Sequence, residues 1–189
     1  MQPVVLTTPR FTLSAPCADD VDAVFAACQD RQLQRFVPVP VPYERFHAEG
    51  FVLELVPEWW RDDVEYVFGI RRAADAPLMG VVAWQRARGM IGYWLGASHR
   101  GEGVMTEAAA AVIDWAFGHE GVDELRWEAA AGNLGSALVA QRTGFRWDGT
   151  GRIANVRPDL EEGGWRAVLR REHLGTVQPA SEWPVLGAR

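Results

Sequence analysis

Residues 98–106, SHRGEGVMT, form the densest group in the chain able to do chemistry. Gly101 and Gly103 permit positive φ and let a ligand approach the backbone closely. A helical pattern begins at about Val104. The first turn of a helix presents amide N–H groups with no partner inside the helix and about half a positive charge. Arg100 adds a cation at the mouth of the turn, and His99 before it reads as a brace. A glycine turn leading into a helix start is a site for an anion, normally phosphate. Two better-known phosphate motifs do not fit. A dinucleotide fingerprint needs a third glycine at position 106, which is Thr106, and a P-loop needs Gly-Lys-Ser/Thr, which does not occur. A tight turn that only connects a strand to a helix is the other reading of the same glycines.

The elements around this turn follow from periodicity. Residues 10–14 alternate as a strand. Asp19 and Asp20 then precede Val21, Val24, Phe25 and Cys28, an acidic start to a helical stripe. The prolines in 36–43, FVPVPVPY, dictate an extended loop. An amphipathic segment follows from about Glu44, with Val52, Leu55, Val56 and Trp59 on one face and a break or kink expected at Pro57. Residues 65–71, 78–86 and 90–95 read as three consecutive strands. A helix from Val104 carries Ala108, Ala111, Val112 and Trp115 on one face, with Gly118 as its stop. Residues 124–129 form a strand, and Asn133 caps a short helix that ends at Gly144. Strands near 145–153 and 165–171 complete an α+β or mixed α/β domain over residues 1–174. The tail, 175–189, has no period and is expected to be loop or loosely docked.

Composition narrows the function classes. The chain has 189 residues, 48% of them hydrophobic, enough for one domain with a sizeable core. A net charge of −6 argues against a duplex-DNA partner, and no nucleic-acid role is expected. Cys17 and Cys28 make neither a disulfide framework nor zinc-ligand spacing, so no metal is expected. No signal-peptide pattern and no long apolar run is visible, so the chain reads as a soluble cytoplasmic protein without a membrane role.

Four stretches together resemble one family. They are YWLGASHRGEGVMTEA at 93–108, RWEA at 126–129, Asn133-Leu134-Gly135-Ser136, and Arg142-Thr143-Gly144-Phe145. They resemble the Gcn5-related N-acetyltransferase (GNAT) superfamily, and within it the RimJ/RimL-like branch that acetylates ribosomal-protein N-termini. PRFTLSAP near the N-terminus and DRQLQRFVPVPVPY at 30–43 also look like that branch. The resemblance implies a mostly antiparallel twisted sheet of six to seven strands, flanked by about four helices. It further implies a V-shaped splay between two central strands and acetyl-CoA as the acyl donor. The family's pyrophosphate loop, Q/R-x-x-G-x-G/A, places its glycines at Gly101 and Gly103; Ser98 departs from its first position. The implied cofactor contacts run from His99, Arg100, Gly101 and Glu102 through Gly103, Val104, Met105 and Thr106. Pantetheine is implied beside Trp94 and Leu95, with Asn133 touching the cofactor and Ser136 beside its sulfur.

In this family the amine attacks the thioester directly. The resemblance implies Ser136 as the group that serves the departing thiolate, and a backbone N–H near Leu95 as the oxyanion donor. Glu128 matches a glutamate used in some relatives as a general base through water; pairing with Arg126 or Arg142 is its other reading. The tyrosine that often serves as acid falls at Ala140 and is missing. Trp59, Trp60, Trp84 and Trp94 fall where the family builds its acceptor pocket, while core packing is favoured for Trp115 and also fits Trp84. Glu44, His47, Asp62 and Asp63 read as solvated helix-end charges or as attractors of a cationic amine. The acceptor is a peptide N-terminal or small-molecule amine, and the protein a monomer or homodimer. A non-catalytic acyl-CoA-binding module is the alternative.

Overall fold

The computed structural model describes residues 1–119, 121–154 and 163–187. Eight strands form a single sheet in the order β1-β2-β3-β4-β5-β6-β8-β7. The N-terminal hairpin is β1 (Leu6–Thr7) and β2 (Thr12–Ser14). The three consecutive strands expected from the sequence are β3 (Tyr66–Arg71), β4 (Gly80–Gln85) and β5 (Met90–Leu95). Beyond them lie β6 (Glu124–Ala130), β7 (Arg146–Gly151) and β8 (Gly164–Arg170). The strand beyond the expected six to seven is the two-residue β1, too short to announce itself by alternation. Every neighbouring pair is antiparallel except β5 and β6.

Helices α1 (Val21–Ala27) and α2 (Arg31–Phe36) precede the proline-rich loop. The sequence pattern does not announce α2, which is only six residues long. Its start is nevertheless capped, because the Asp30 side chain accepts from the Gln32 amide at 3.0 Å. Next come α3 (Arg45–Glu49), a wide π segment (Gly50–Leu55) and α4 (Val56–Arg61) in one continuous run. Helix continues through Pro57, and the widened turn just before it gives the pyrrolidine ring room against the preceding carbonyls. The same widening corrects the expected apolar face. Ala48, Val52, Val56 and Trp60 are buried at intervals of four, while Leu55 is exposed and Trp59 half-buried. An i→i+5 turn holds more residues than an α turn, so the buried stripe follows four rather than 3.6.

Helix α5 (Val104–His119) packs on β4 and β5, and α6 (Leu134–Arg142) follows β6. Gly118 lies inside the last turn of α5 rather than stopping it. Trp115 on α5 sits among Trp60, Tyr66, Phe68 and Trp84 with ring centroids 5.2–6.3 Å apart. Trp60 and Trp84 are therefore core residues and not pocket walls; the Trp60 indole also donates to the Val67 carbonyl at 3.1 Å.

The tail is not loose. Trp183 is fully buried, against Trp127 and Trp147. The Gln141 side chain on α6 donates to the Gln178 carbonyl at 2.5 Å, and the Trp147 amide donates to the Gln178 side chain at 3.0 Å. Burying one indole outweighs the lack of regular structure around it. No helix among the described residues is long and apolar enough to cross a membrane.

Candidate active site at the sheet splay

β5 and β6 meet at one parallel bridge, Met90 with Arg126, secured by the Arg126 amide donating to the Gly89 carbonyl at 2.8 Å. From there they diverge. The other edge of β5 pairs with β4 along its whole length, from Gly80 opposite Leu95 to Gln85 opposite Met90. The Gly96 amide bonds the Met79 carbonyl at 2.9 Å, which sets the alternation. Backbone groups of Trp94 therefore face β4, and those of Tyr93 and Leu95 face the gap. Two strand edges without mutual pairing need another partner.

Two cavities flank the gap. The smaller, about 260 Å³, runs between α2, the start of α5 and α6, past Leu33, Leu95, Arg100, Gly103 and Val139. The larger, about 840 Å³, lies on the side of the proline-rich loop and the π segment, past Tyr43, Phe51, Glu54 and Trp59. They share Phe36, Val37, Tyr93, Trp94, Asn133 and Ser136, so they converge where β5 faces α6, beside the end of α2.

At the far end of the smaller cavity, Gly101 and Gly103 have φ of +86° and +74°. A Cβ on Gly101 would stand in open space, and one on Gly103 would meet only the Arg10 guanidinium at 3.5 Å. This is a backbone cradle with room above it. Gly101, Gly103, Val104, Met105 and Thr106 all line the cavity. His99 and Glu102, expected at the cofactor, line neither cavity. The Glu102 carboxylate turns outward to Arg72 at 2.9 Å, and its carbonyl accepts from Arg10 at 3.1 Å. An exposed cation pulls that side chain away from the cradle.

Arg100 is a clasp. Its guanidinium donates to the Leu95 carbonyl at 3.0 Å, to the Gln32 side chain at 3.0 Å and to Asp30 at 2.6 Å. It thus ties α2 to the end of β5, leaving two of its five N–H groups for a ligand. Burial pushes the Asp30 carboxyl up, but hydrogen bonds from the Gln32 amide and Arg100 outweigh it and hold Asp30 below the usual carboxylate range.

At the junction of the cavities, Ser136 is fixed at three points. Its amide donates to the Asn133 side chain at 3.2 Å, the cap expected from the sequence. Its carbonyl accepts from the Tyr93 hydroxyl at 2.9 Å. Its Oγ accepts from the Trp127 indole N–H at 3.1 Å. Tyr93 escapes a reading of the sequence. Alternation places it on one face of β5 with Ile91 and Leu95, but nothing local says that α6 crosses there. Helix α6 has no tyrosine at Ala140, and the Tyr93 hydroxyl lies beside that backbone instead. Burial raises the Tyr93 phenol well above its ordinary value, so it remains a proton-bearing donor.

The larger cavity is acidic and aromatic. Glu49, Glu54, Glu65 and Glu128 line it, with Phe51, Trp59 and Trp94. Among the described residues no arginine lines it, and the chain contains no lysine. The Glu128 carboxylate accepts from the Ala154 amide at 2.7 Å. Arg126, its alternative partner, pairs with Glu124 at 3.2 Å. Burial raises the Glu65 carboxyl, partly offset by Gln85 and Arg88. Of the helix-end charges, only His47 lines the cavity; Asp62 pairs with Arg61, and Asp63 with the N-terminal amine.

Comparison with known proteins agrees with this architecture. Residues 10–146 match the acetyltransferase (GNAT) domain family model, and the chain belongs to that family. A Bacillus subtilis relative named "Probable N-acetyltransferase YjcK" is 40% identical over 96 residues, which cover 48% of this chain and 53% of that protein. The chain thus spans about half the length of this curated relative in the match. Among solved structures, RimL, a ribosomal L7/L12 α-N-protein acetyltransferase in complex with coenzyme A, superposes with a TM-score of 0.76 at 16% identity. That match covers 88% of this chain and 98% of the other. Mycobacterium smegmatis RimJ in complex with CoA-disulfide gives a TM-score of 0.77 at 19% identity, covering 94% and 93%.

Proposed function

We propose that the protein moves an acetyl group from acetyl-CoA to a primary amine by direct attack in a ternary complex, and that the acceptor is the N-terminal amine of a peptide. The observation that carries this reading is the convergence of the two cavities at Ser136. One leads from a backbone cradle suited to phosphate, and the other from an acidic, aromatic chamber suited to a cationic acceptor. That RimL, a ribosomal L7/L12 α-N-protein acetyltransferase, shares the fold supports the peptide acceptor.

Acetyl-CoA supplies the acyl group as an activated thioester. Each remaining task falls to a group of this chain. The amine must be neutral to attack. An α-amine, with an ordinary pKa of about 7.7–8.0, needs less help near neutrality than a lysine at about 10.4. Glu128 takes the proton that the attacking nitrogen loses, through one water. The Leu95 N–H, facing the gap, supports the carbonyl oxygen as negative charge gathers there. As the C–N bond forms and the C–S bond breaks, the Ser136 hydroxyl donates a hydrogen bond to the departing thiolate, and the proton that nitrogen gives to Glu128 balances the one the released thiol takes up from solvent. The products are an N-acetyl amine and free coenzyme A.

Thiol release from acetyl-CoA, measured over a panel of peptides, polyamines and amino acids, tests this. The expected result is turnover on peptides, with the acetyl group located on the α-amine by fragmentation mass spectrometry. Because the chain has no lysine, any acetyl-lysine found belongs to the acceptor. Turnover on small amines alone would overturn the peptide assignment. Tight coenzyme A binding with no turnover on any acceptor would leave a binding module in its place.

A further inference from the structure

The segment after β8 lies outside the residues matched to the acetyltransferase domain, yet it reaches the junction of the cavities through two indoles. We propose that this segment is part of the catalytic assembly: Trp183 buttresses Trp127, and the Trp127 indole N–H fixes the Ser136 hydroxyl so that its proton points to the departing sulfur. Trp127 and Trp183 are thus positioning residues. The inference rests on the reading of Ser136 given above.

The polarity of the Trp127–Ser136 bond is set by chemistry. An indole nitrogen only donates, so Ser136 Oγ must accept at 3.1 Å. A hydroxyl has one proton and two lone pairs. The Tyr93 hydroxyl lies within hydrogen-bond reach of both the Ser136 and Trp127 side chains, so indole and phenol together set the serine rotamer, and an incoming acceptor takes the Ser136 proton from the Tyr93 oxygen. A serine in the first turn of a helix that lacked this bond would turn toward nearby backbone or water. Backbone bonds at its amide and carbonyl already prevent the residue as a whole from moving.

Trp127 in turn needs its own orientation held. Its ring is buried and meets Trp183 at 5.9 Å between centroids, with planes at 58°. Trp183 meets Trp147 at 5.5 Å and 59°. The Trp183 indole N–H has no hydrogen-bond partner among the described residues, so this ring acts by packing alone. Its segment is seated by Gln178, which joins α6 to β7, and by the passage of Thr176 over Gly144. A Cβ on Gly144 would stand 2.9 Å from the Thr176 carbonyl, and its φ is +93°. The glycine that ends α6 therefore also admits the tail.

Steady-state kinetics and coenzyme A affinity, measured on Ser136→Ala, Trp127→Phe, the double variant and Trp183→Ala, test the proposal. Trp127→Phe should lower kcat about tenfold, the worth of one hydrogen bond, with coenzyme A affinity unchanged within about twofold. In the Ser136→Ala background it should cost nothing further. Trp183→Ala should show the same split, with kcat about threefold lower. Trp183→Leu keeps the space filled and serves if the alanine variant does not fold. An unchanged kcat in Trp127→Phe, or a full additional loss on top of Ser136→Ala, would overturn the inference while leaving the Ser136 reading intact. Full kcat in Ser136→Ala would remove that reading itself, and the strut with it.

Discussion

The two ends of the gap between β5 and β6 are built from different materials. At the cradle, the groups proposed to hold the cofactor are backbone: glycines at 101 and 103 and the first amides of α5. Its side chains face outward or brace, as Glu102 does toward Arg72 and Arg100 toward Asp30. At the Ser136 corner the group proposed to act is one hydroxyl. Residues from β5, β6 and the start of α6 hold it, with the tail behind. Backbone can hold a phosphate because every amide carries the same donor, so local chain geometry suffices. Directing one proton toward one atom requires several distant elements to agree on a rotamer. Faults at the cradle should therefore appear in affinity, and faults at the corner in turnover.

Four experiments can break or sharpen that division. The largest effect is expected from Gly103→Val. A β-branched side chain resists a φ of +74° and fills the cradle, so coenzyme A affinity should fall more than about a hundredfold by calorimetry. A variant that bound normally but turned over slowly would break the comparison at its root. Next is Ser136→Ala, which should lower kcat at least tenfold, roughly, and leave coenzyme A affinity within about twofold. Equal losses in both would make Ser136 part of the binding surface and erase the contrast. Arg100→Gln tests a side chain at the cradle end. Losing the clasp should weaken coenzyme A about fivefold, a charge-assisted contribution of about 1 kcal/mol, with kcat at saturation little changed.

The smallest effect is a pH dependence. Asp30 titrates below the usual carboxylate range because its hydrogen bonds to the Gln32 amide and Arg100 outweigh burial. A depressed folded value means that this contribution to stability is complete above the unfolded pKa, about 3.9. It is lost as pH falls through the lower folded value. The melting temperatures of the wild type and Asp30→Asn should differ by a constant amount near neutrality and converge below about pH 4. A difference that persisted unchanged in acid would mean that the charge of the Asp30 carboxylate is not its source.

The same division decides what could be read from the residues alone. The glycine turn, the strand before it, the Asn133 cap and the end of α6 at Gly144 all depend on interactions within a few residues, and each is where the pattern predicts. The missing pieces depend on distance along the chain. Tyr93 and Ser136 are 43 residues apart, and no period in β5 indicates that α6 will cross it. Trp183 lies in a stretch without a pattern, so only its burial reveals it. Helix α2 is shorter than the window in which a helical stripe becomes visible, and prolines follow it at once. In the run from Arg45 to Arg61, the wide π segment changed the repeat itself, so a stripe drawn at 3.6 found the buried Val52 and Val56 but added Leu55 and Trp59 in place of Ala48 and Trp60.

The lone bridge between Met90 and Arg126 also has a mechanical consequence. A sheet resists bending across its strands because rows of hydrogen bonds stitch each strand to the next. Here that stitching is interrupted, leaving two stiff plates, β1 to β5 and β6 to β8, that share a pivot and are strapped together by α5 and α6. A molecule lying along the gap and bonding both edges is a splint as well as a reactant. Filling the gap should slow amide exchange on β5 and β6 together, and releasing the product should return the two plates to independent motion.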